Sequence, residues 1–377
     1  MTGSCRRIKR SNCLVFFFEQ GRIHCCNYLT DTQVESSPVL VALLAMLDRW
    51  RTPAEIERLL SGYSSASIQR TLHELKANTL VVEHGSEQAK RESELAPWDV
   101  WGVEARFFHF VTRNAYRGAP AVLDDASIDL ALARSSPQPG QIKKYAGARQ
   151  FLLPDITSRL DSEFPRVLLA RRTHRCFAAG RLPLEKFSAL VRLTWGITGK
   201  LRWPGLGKLP VKTSPSGGAR NPLEAYVWAL RVEGLPRGLY HYRADVNRLE
   251  LMRRGASVAR IARLCAGQEW IRNCAALFLM TAVLPRTMWR YRFSRAYRVV
   301  LLEAGHFCQT FCLAATWLGL APFCTAALLD EEIEKELGLG GATECVLYAA
   351  GVGLQDDRLQ AAAVRTNRRL NATPRRA

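Results

Sequence analysis

Three stretches of this sequence carry residue types able to do chemistry. Arg171-Arg172-Thr173-His174-Arg175 sets three guanidiniums and a hydroxyl within five residues, a group able to hold a phosphate through charge-assisted hydrogen bonds. A solvated basic turn is the plainer alternative. Ser214-Pro215-Ser216-Gly217-Gly218-Ala219 is a loop whose glycines let backbone N–H groups approach a ligand closely. It lacks the Gly-Lys-Ser/Thr ending of a P-loop. No G-x-G-x-x-G follows a strand, so a dinucleotide-binding Rossmann unit is not supported. The third stretch, Arg286–Arg298 (RTMWRYRFSRAYR), alternates arginines with Trp, Tyr and Phe. Such a set stacks bases and holds phosphates, lines an anionic active site, or forms a cationic surface stripe.

Metal chemistry is not expected. Glu303 and His306 have the Glu-x-x-His spacing of carboxylate di-metal bundles, but the second pair and the extra Glu residues are missing. The eleven Cys are odd in number, irregularly spaced and without a C-x-x-C pair. That pattern argues against a zinc site and a disulfide framework and reads as small buried hydrophobes.

Charge narrows the partners. The chain has 377 residues, 53 Lys+Arg against 34 Asp+Glu, and a formal net charge of +19. An anionic partner follows: nucleic acid, an acidic peptide or a phosphate-bearing cofactor. A general preference for Arg on solvated surfaces accounts for the charge equally well. The composition, 48% hydrophobic and 23% charged, excludes a disordered chain. No uninterrupted apolar run reaches the roughly 18 residues of a membrane helix. Basic residues precede Cys13–Phe18, but that apolar segment is too short for a secretory core. It reads as a strand, and a cytoplasmic protein without membrane association is expected.

The elements that must position these residues fall into four parts. Residues 12–34 are β-rich. A helix at Val39–Trp50 is followed by one opening at Thr52-Pro53-Ala54-Glu55, with a Thr cap, Pro at the first position and Glu closing a capping box. A third begins near Ser64–Ser67, placing Ile68, Leu72 and Leu75 on one stripe and stopping at Asn78. Leu80-Val81-Val82 reads as a strand. Three helices and a strand are the outline of a winged helix, so residues 1–90 are assigned to a winged-helix-like domain. It would bind DNA through Arg70, His73 and Lys76, bind a peptide along its strand edge, or dock without binding anything. The charged stretch 84–97 reads as a linker, within a linker and connecting region at 91–165. The main domain spans 166–356. Its segment Val299–Leu320 is apolar nearly all round, as a central helix or a subunit core would be. A basic arm, 357–377, closes the chain.

These pieces together resemble the nitroreductase superfamily, and more narrowly its SagB-type peptide dehydrogenases, which oxidise thiazolines and oxazolines in ribosomal peptides to azoles. The matching stretches are RRTHRCF (171–177), LTWGITG (193–199), SPSGGARNPLEAYVW (214–228), VEGLPRGLYHY (232–242), RYRFSRAYRVVLLEAGHFCQTFCLAATWLGL (290–320) and ECVLYAAGVG (344–353). The resemblance implies an α+β fold with a central, mainly antiparallel sheet and helices around it. It implies FMN bound at the interface of a homodimer. It places Arg171, Arg172, Thr173 and Arg175 at the phosphate and ribityl chain, and Pro215, Ser216, Gly217 and Gly218 in the loop that covers the flavin from the partner subunit. Cys324, Thr325 and Ala326 fall on the segment beside the isoalloxazine edge. Arg365, Arg368 or Arg369 would reach the phosphate from the C-terminal arm.

The same resemblance puts Arg290 and Tyr291 where this branch carries a catalytic Lys-Tyr pair. Arg stays charged in proteins, so Arg290 is expected to stabilise negative charge or lower the pKa of Tyr291 instead of taking a proton. Arg220-Asn221 stands where the branch shows an apolar and an aromatic residue, so the peptide pocket is expected to differ. The implied activity is dehydrogenation of a modified ribosomal peptide, engaged through an acidic leader and with other peptide-modifying enzymes as partners. The alternatives are a general NAD(P)H-dependent FMN reductase of nitro or quinone compounds, a winged-helix DNA-binding regulator, and a flavin-free scaffold.

Overall fold

The computed structural model describes residues 7–113, 161–203 and 207–356, together with 134, 151, 153 and 358. Strand β1 (Ile8–Arg10) leads into an antiparallel meander of β2 (Leu14–Glu19), β3 (Arg22–Asn27) and β4 (Thr32–Ser36). The β2–β3 turn is Gln20-Gly21, both at positive φ (51° and 78°). A two-residue hairpin with that geometry matches the natural twist of its strands.

Three helices follow, each started by a side-chain cap: α1 (Pro38–Met46) by Ser37, α2 (Pro53–Leu59) by Thr52 and α3 (Ser65–Ala77) by Ser64. The Thr52–Glu55 capping box is formed in full. Ile68, Leu72 and Leu75 are buried as expected, packed with Leu44, Leu47, Ile56 and Val81. Strand β5 (Val81–Glu83) pairs with β1, which precedes the helices. No return strand follows it: the chain turns into α4 (Glu87–Ser93). The expected order of helices is present, but the region is a sheet-rich domain without the hairpin that defines a wing. Helix α4 also corrects the reading of 84–97 as a linker. Its Glu92 is buried and accepts from Ser11 Oγ (2.5 Å) and Asn12 N (2.9 Å). A buried carboxylate persists only with such partners. Helix α5 (Gly102–Thr112) follows.

Beyond residue 160 the order is α6 (Glu163–Ala170), α7 (Leu184–Trp195), β6 (Gly199–Trp203), β7 (Gly207–Val211), β8 (Leu223–Ala229), β9 (Gly238–Arg243), β10 (Arg248–Arg254) and α8 (Val258–Leu264). It continues with β11 (Ala276–Val283), α9 (Leu284–Met288), α10 (Ala296–Trp317), β12 (Leu320–Thr325), α11 (Asp330–Leu337) and β13 (Glu344–Leu354).

Two compact units interleave along the chain. One comprises Met1–Ala115, Val283–Val300 and Glu334–Cys345; the other comprises Tyr116–Ala282, Leu301–Ile333 and Val346–Ala377. In the first, Trp98 and Trp101 are fully buried. Trp98 Nε1 donates to Ala342 O (2.7 Å) and Trp101 Nε1 to Tyr291 O (2.8 Å). Both indole donors are thereby satisfied, as burial requires. Arg113 and Glu334 form a buried ion pair.

The second unit is built on a six-stranded sheet in the order β10-β9-β8-β11-β13-β12, with antiparallel pairing of β10 with β9, β9 with β8, β8 with β11 and β13 with β12. Strands β8 and β11 are buried along almost their whole length, which is why ALFLMTAV is apolar at every position but Thr281. Phe278 on β11 lies at the centre of the core. It stacks on Trp195 of α7 (5.0 Å, 22°) and meets Phe311 of α10 edge-on (5.3 Å, 63°). Helix α10 is long and apolar enough to cross a membrane by length and composition alone. Its buried face, including Phe307, Phe311 and Ala315, is spent on this core.

Candidate active site

Helix α10 and strand β12 gather most of the chemistry-bearing side chains of the second unit. The segment 171–175 leaves α6 at Arg171, which is half-buried, while Arg172, Thr173 and Arg175 are exposed. His174 N donates to Pro322 O (2.9 Å), fastening the segment to β12. The Arg175 guanidinium stands 5.7 Å from the Trp270 ring centroid, and Trp270 meets Phe323 of β12 edge-on at 4.5 Å. Arg172 Nη1 donates to the carbonyls of Leu169 and Arg171. Burial lowers the His174 pKa, and the Arg171 charge lowers it further.

The loop 214–219 is fastened to α10. Ser214 Oγ hydrogen-bonds Thr310 Oγ1 (2.7 Å) and Gly217 N donates to Glu303 Oε2 (3.3 Å). Asn221 N donates to Ser216 Oγ (2.8 Å). Gly218, Ala219 and Asn221 take positive φ of 58°, 54° and 46°. Of these, Ala219 and Asn221 are uncommon there, and strain of this kind clusters at ligand sites. Pro215 and Gly218 are exposed; Ser216 and Gly217 are half-buried.

Glu303 was singled out in the sequence only as half of a Glu-x-x-His pair. The structure separates the two: His306 is exposed, whereas Glu303 is buried beneath the glycine loop. Its Oε1 has no hydrogen-bond partner. Burial raises its pKa from 4.5 to about 7, against the lowering effect of Ser216, the Gly217 N–H and Lys212.

Cys324 is half-buried, Thr325 buried and Ala326 exposed, at the end of β12. Gly351 and Gly353 on β13 make room for rings at this end of the sheet. A Cβ on Gly351 would overlap the Phe323 ring, and one on Gly353 would lie 2.5 Å from Phe177 Cδ1. Cys324 Sγ accepts from Tyr348 Oη (3.4 Å). Hydrogen bonds from Cys308 and Cys312 of α10 draw its pKa down, with smaller help from Tyr348 and Arg171. This thiol cluster was not anticipated. The only trace of it in the sequence is the one-turn spacing of Cys308 and Cys312.

Arg290 and Tyr291 belong to the first unit. Arg290 is exposed, Tyr291 half-buried, and the Arg290 guanidinium carbon stands 5.5 Å from the Tyr291 ring centroid. Tyr291 is held at its backbone, N donating to Thr287 O (2.9 Å) and O accepting from Trp101 Nε1. Arg365, Arg368 and Arg369 lie outside the described residues.

The chain was compared with known proteins. A model of the nitroreductase family matches residues 168–354. MJ1384 of Methanocaldococcus jannaschii, named as a nitroreductase, is 30% identical over 185 residues, 49% of this chain and 87% of that one. The trifolitoxin-processing protein TfxB of Rhizobium leguminosarum bv. trifolii is 26% identical over 217 residues, 56% of this chain and 58% of TfxB. This chain thus spans little more than half of TfxB. Among solved structures, the E. coli microcin synthetase McbBCD complex with truncated pro-MccB17 bound contains a chain that is 19% identical. The match covers 73% of this chain and 99% of that one, with a TM-score of 0.49.

Proposed function

From the premise that this chain belongs to the nitroreductase family, we propose that it is an FMN-dependent dehydrogenase of a ribosomally made, modified peptide, converting azoline rings to azoles. The observation that carries the proposal is the joining of the Arg171–Arg175 cluster to β12 through His174 and Pro322; these cations beside the Cys324–Ala326 segment support a phosphate site there. The similarity to a trifolitoxin-processing protein supports a peptide as substrate.

The donor set fits FMN. Arg171, Arg172, Thr173 and Arg175 offer charged and hydroxyl donors for the phosphate, and the Pro215–Gly218 loop offers backbone N–H groups. FMN bound there supplies a two-electron oxidant. Two copies of the chain complete the site in this reading. Tyr291 removes the proton from the ring carbon α to the carbonyl, while a hydride leaves the neighbouring ring carbon. Together these losses create the ring double bond. Arg290 does not take the proton, since its guanidinium stays charged. It offsets the negative charge developing on the carbonyl side.

The first unit contributes a cavity of about 670 Å³ with Lys9, Arg10 and Arg106 among its lining, beside Trp50 and Phe16. Glu92 and Asp99 also line it, and Asp99 pairs with Arg106; Lys9 and Arg10 are the cations left to meet an acidic leader segment. The second reading, a reductase of nitro or quinone compounds, is favoured by the similarity to MJ1384.

The test begins with the visible spectrum of the purified full chain and the mass of its released chromophore. A synthetic peptide with one thiazoline is then added under air. FMN together with loss of two hydrogens from the peptide is the expected result. A chain that neither carries FMN nor takes it up overturns the proposal. Fast flavin bleaching by NADPH with an unaltered peptide moves the assignment to the second reading.

A further inference from the structure

Three thiols meet in the second unit. The Sγ atoms of Cys308, Cys312 and Cys324 all lie within 4.8 Å of one another. Cys308 and Cys312 are four residues apart on α10 and so share one helix face. Cys324 reaches them from β12. All three are free thiols, with Cys308 and Cys312 buried. Tyr348 Oη donates to Cys324 Sγ (3.4 Å), and the Arg171 charge acts on both Cys312 and Cys324.

We propose that Cys308, Cys312 and Cys324 bind a thiophilic metal ion, zinc(II), at a site formed by α10 and β12. Zinc–sulfur bonds of about 2.3 Å in a tetrahedron set the sulfurs about 3.8 Å apart. The three Sγ atoms therefore need draw together by no more than about 1 Å. Three thiolates leave the fourth position open for a water. Charge selects the metal. Three thiolates with zinc(II) carry a net charge of −1, which Arg171, whose charge acts on Cys312 and Cys324, balances. With copper(I) they carry −2, which one guanidinium does not. Tyr348 supplies the outer hydrogen bond to a ligating sulfur that such sites use to fix their ligands. The ion would tie α10 to β12 at the strand end that also bears Thr325 and Ala326. The inference does not rest on the flavin reading, because metal content and flavin absorbance are measured separately.

The full chain is purified without added metal and assayed for zinc and copper by elemental mass spectrometry. After chelator treatment it is titrated with cobalt(II), and thiolate-to-cobalt charge transfer is read in the difference spectrum. About one zinc per chain is expected, with a cobalt charge-transfer band that zinc abolishes. Cys308→Ser should lower retained zinc at least about tenfold. Cys265→Ala, at a buried cysteine outside the cluster, should leave it unchanged. If Cys308→Ser does not fold, alkylation of the wild-type chain decides. Zinc should protect Cys308, Cys312 and Cys324 relative to the chelated protein, as located by peptide mass mapping. Copper in place of zinc, equal loss of zinc from both variants, or neither retained metal nor protection overturns the proposal.

Discussion

The Arg290 guanidinium stands over the Tyr291 ring, 5.5 Å from its centroid. Tyr291 is held at its backbone by Thr287 and Trp101 and at its ring by Arg290 and Phe293. Tyr291→Phe is expected to lower turnover by about 10²–10⁴-fold, the usual size of a lost general base, with flavin content unchanged. Arg290→Ala, which removes a charge that offsets the developing negative charge and not the base itself, should cost less. An unimpaired Tyr291→Phe protein in a single-turnover peptide assay would remove Tyr291 from the mechanism.

Arg175 tests the flavin cradle. Arg175→Ala removes one charge-assisted donor, a loss of about 1.5–3 kcal/mol. FMN should bind roughly ten- to a hundredfold more weakly, as followed by quenching of flavin fluorescence on titration. Undiminished affinity would remove Arg175 from the flavin cradle.

Glu303 should imprint a pH dependence on stability. Its carboxyl is raised from 4.5 to about 7 in the folded chain. Between those values the native state binds more protons than the unfolded state, so stability falls as pH rises through the window. The loss is roughly 3 kcal/mol at most. Glu303→Gln keeps an acceptor for Gly217 N without the charge. Its denaturant midpoint should vary less with pH from about 4.5 to 7, and its relative stability should be greatest above pH 7. Parallel curves for variant and wild type would show that Glu303 is ionised throughout.

Phe278 carries the core of the second unit. Phe278→Ala should destabilise it by about 3–5 kcal/mol, measured by denaturant unfolding. Phe278→Leu, which leaves a smaller void, should cost clearly less.

Local features were legible in the sequence. The Thr52–Glu55 box, the Ile68–Leu72–Leu75 stripe and the long apolar helix each depend on neighbours a turn or two away, and all are present. Pairings across the fold were not. Glu92 reads as part of a charged linker because Ser11, 81 positions earlier, is what makes its burial tolerable. Cys324 looks like any other cysteine until β12 brings it beside α10. Glu303 was noticed for its spacing to His306, although the partner that matters is the Gly217 loop 86 residues away. In each case topology, which no local period encodes, decides the contact.

The interleaving of the two units bears on how such proteins can be recombined. Trp98 finds its acceptor at Ala342, and Trp101 finds its own at Tyr291. The N-terminal stretch is thus completed by two segments encoded far downstream. A chimera that exchanges only the first 115 residues between relatives would leave the incoming segment to find its buried contacts on backbone carbonyls that another chain's downstream segments position. Any inheritance of that unit as a module has to carry all three stretches together.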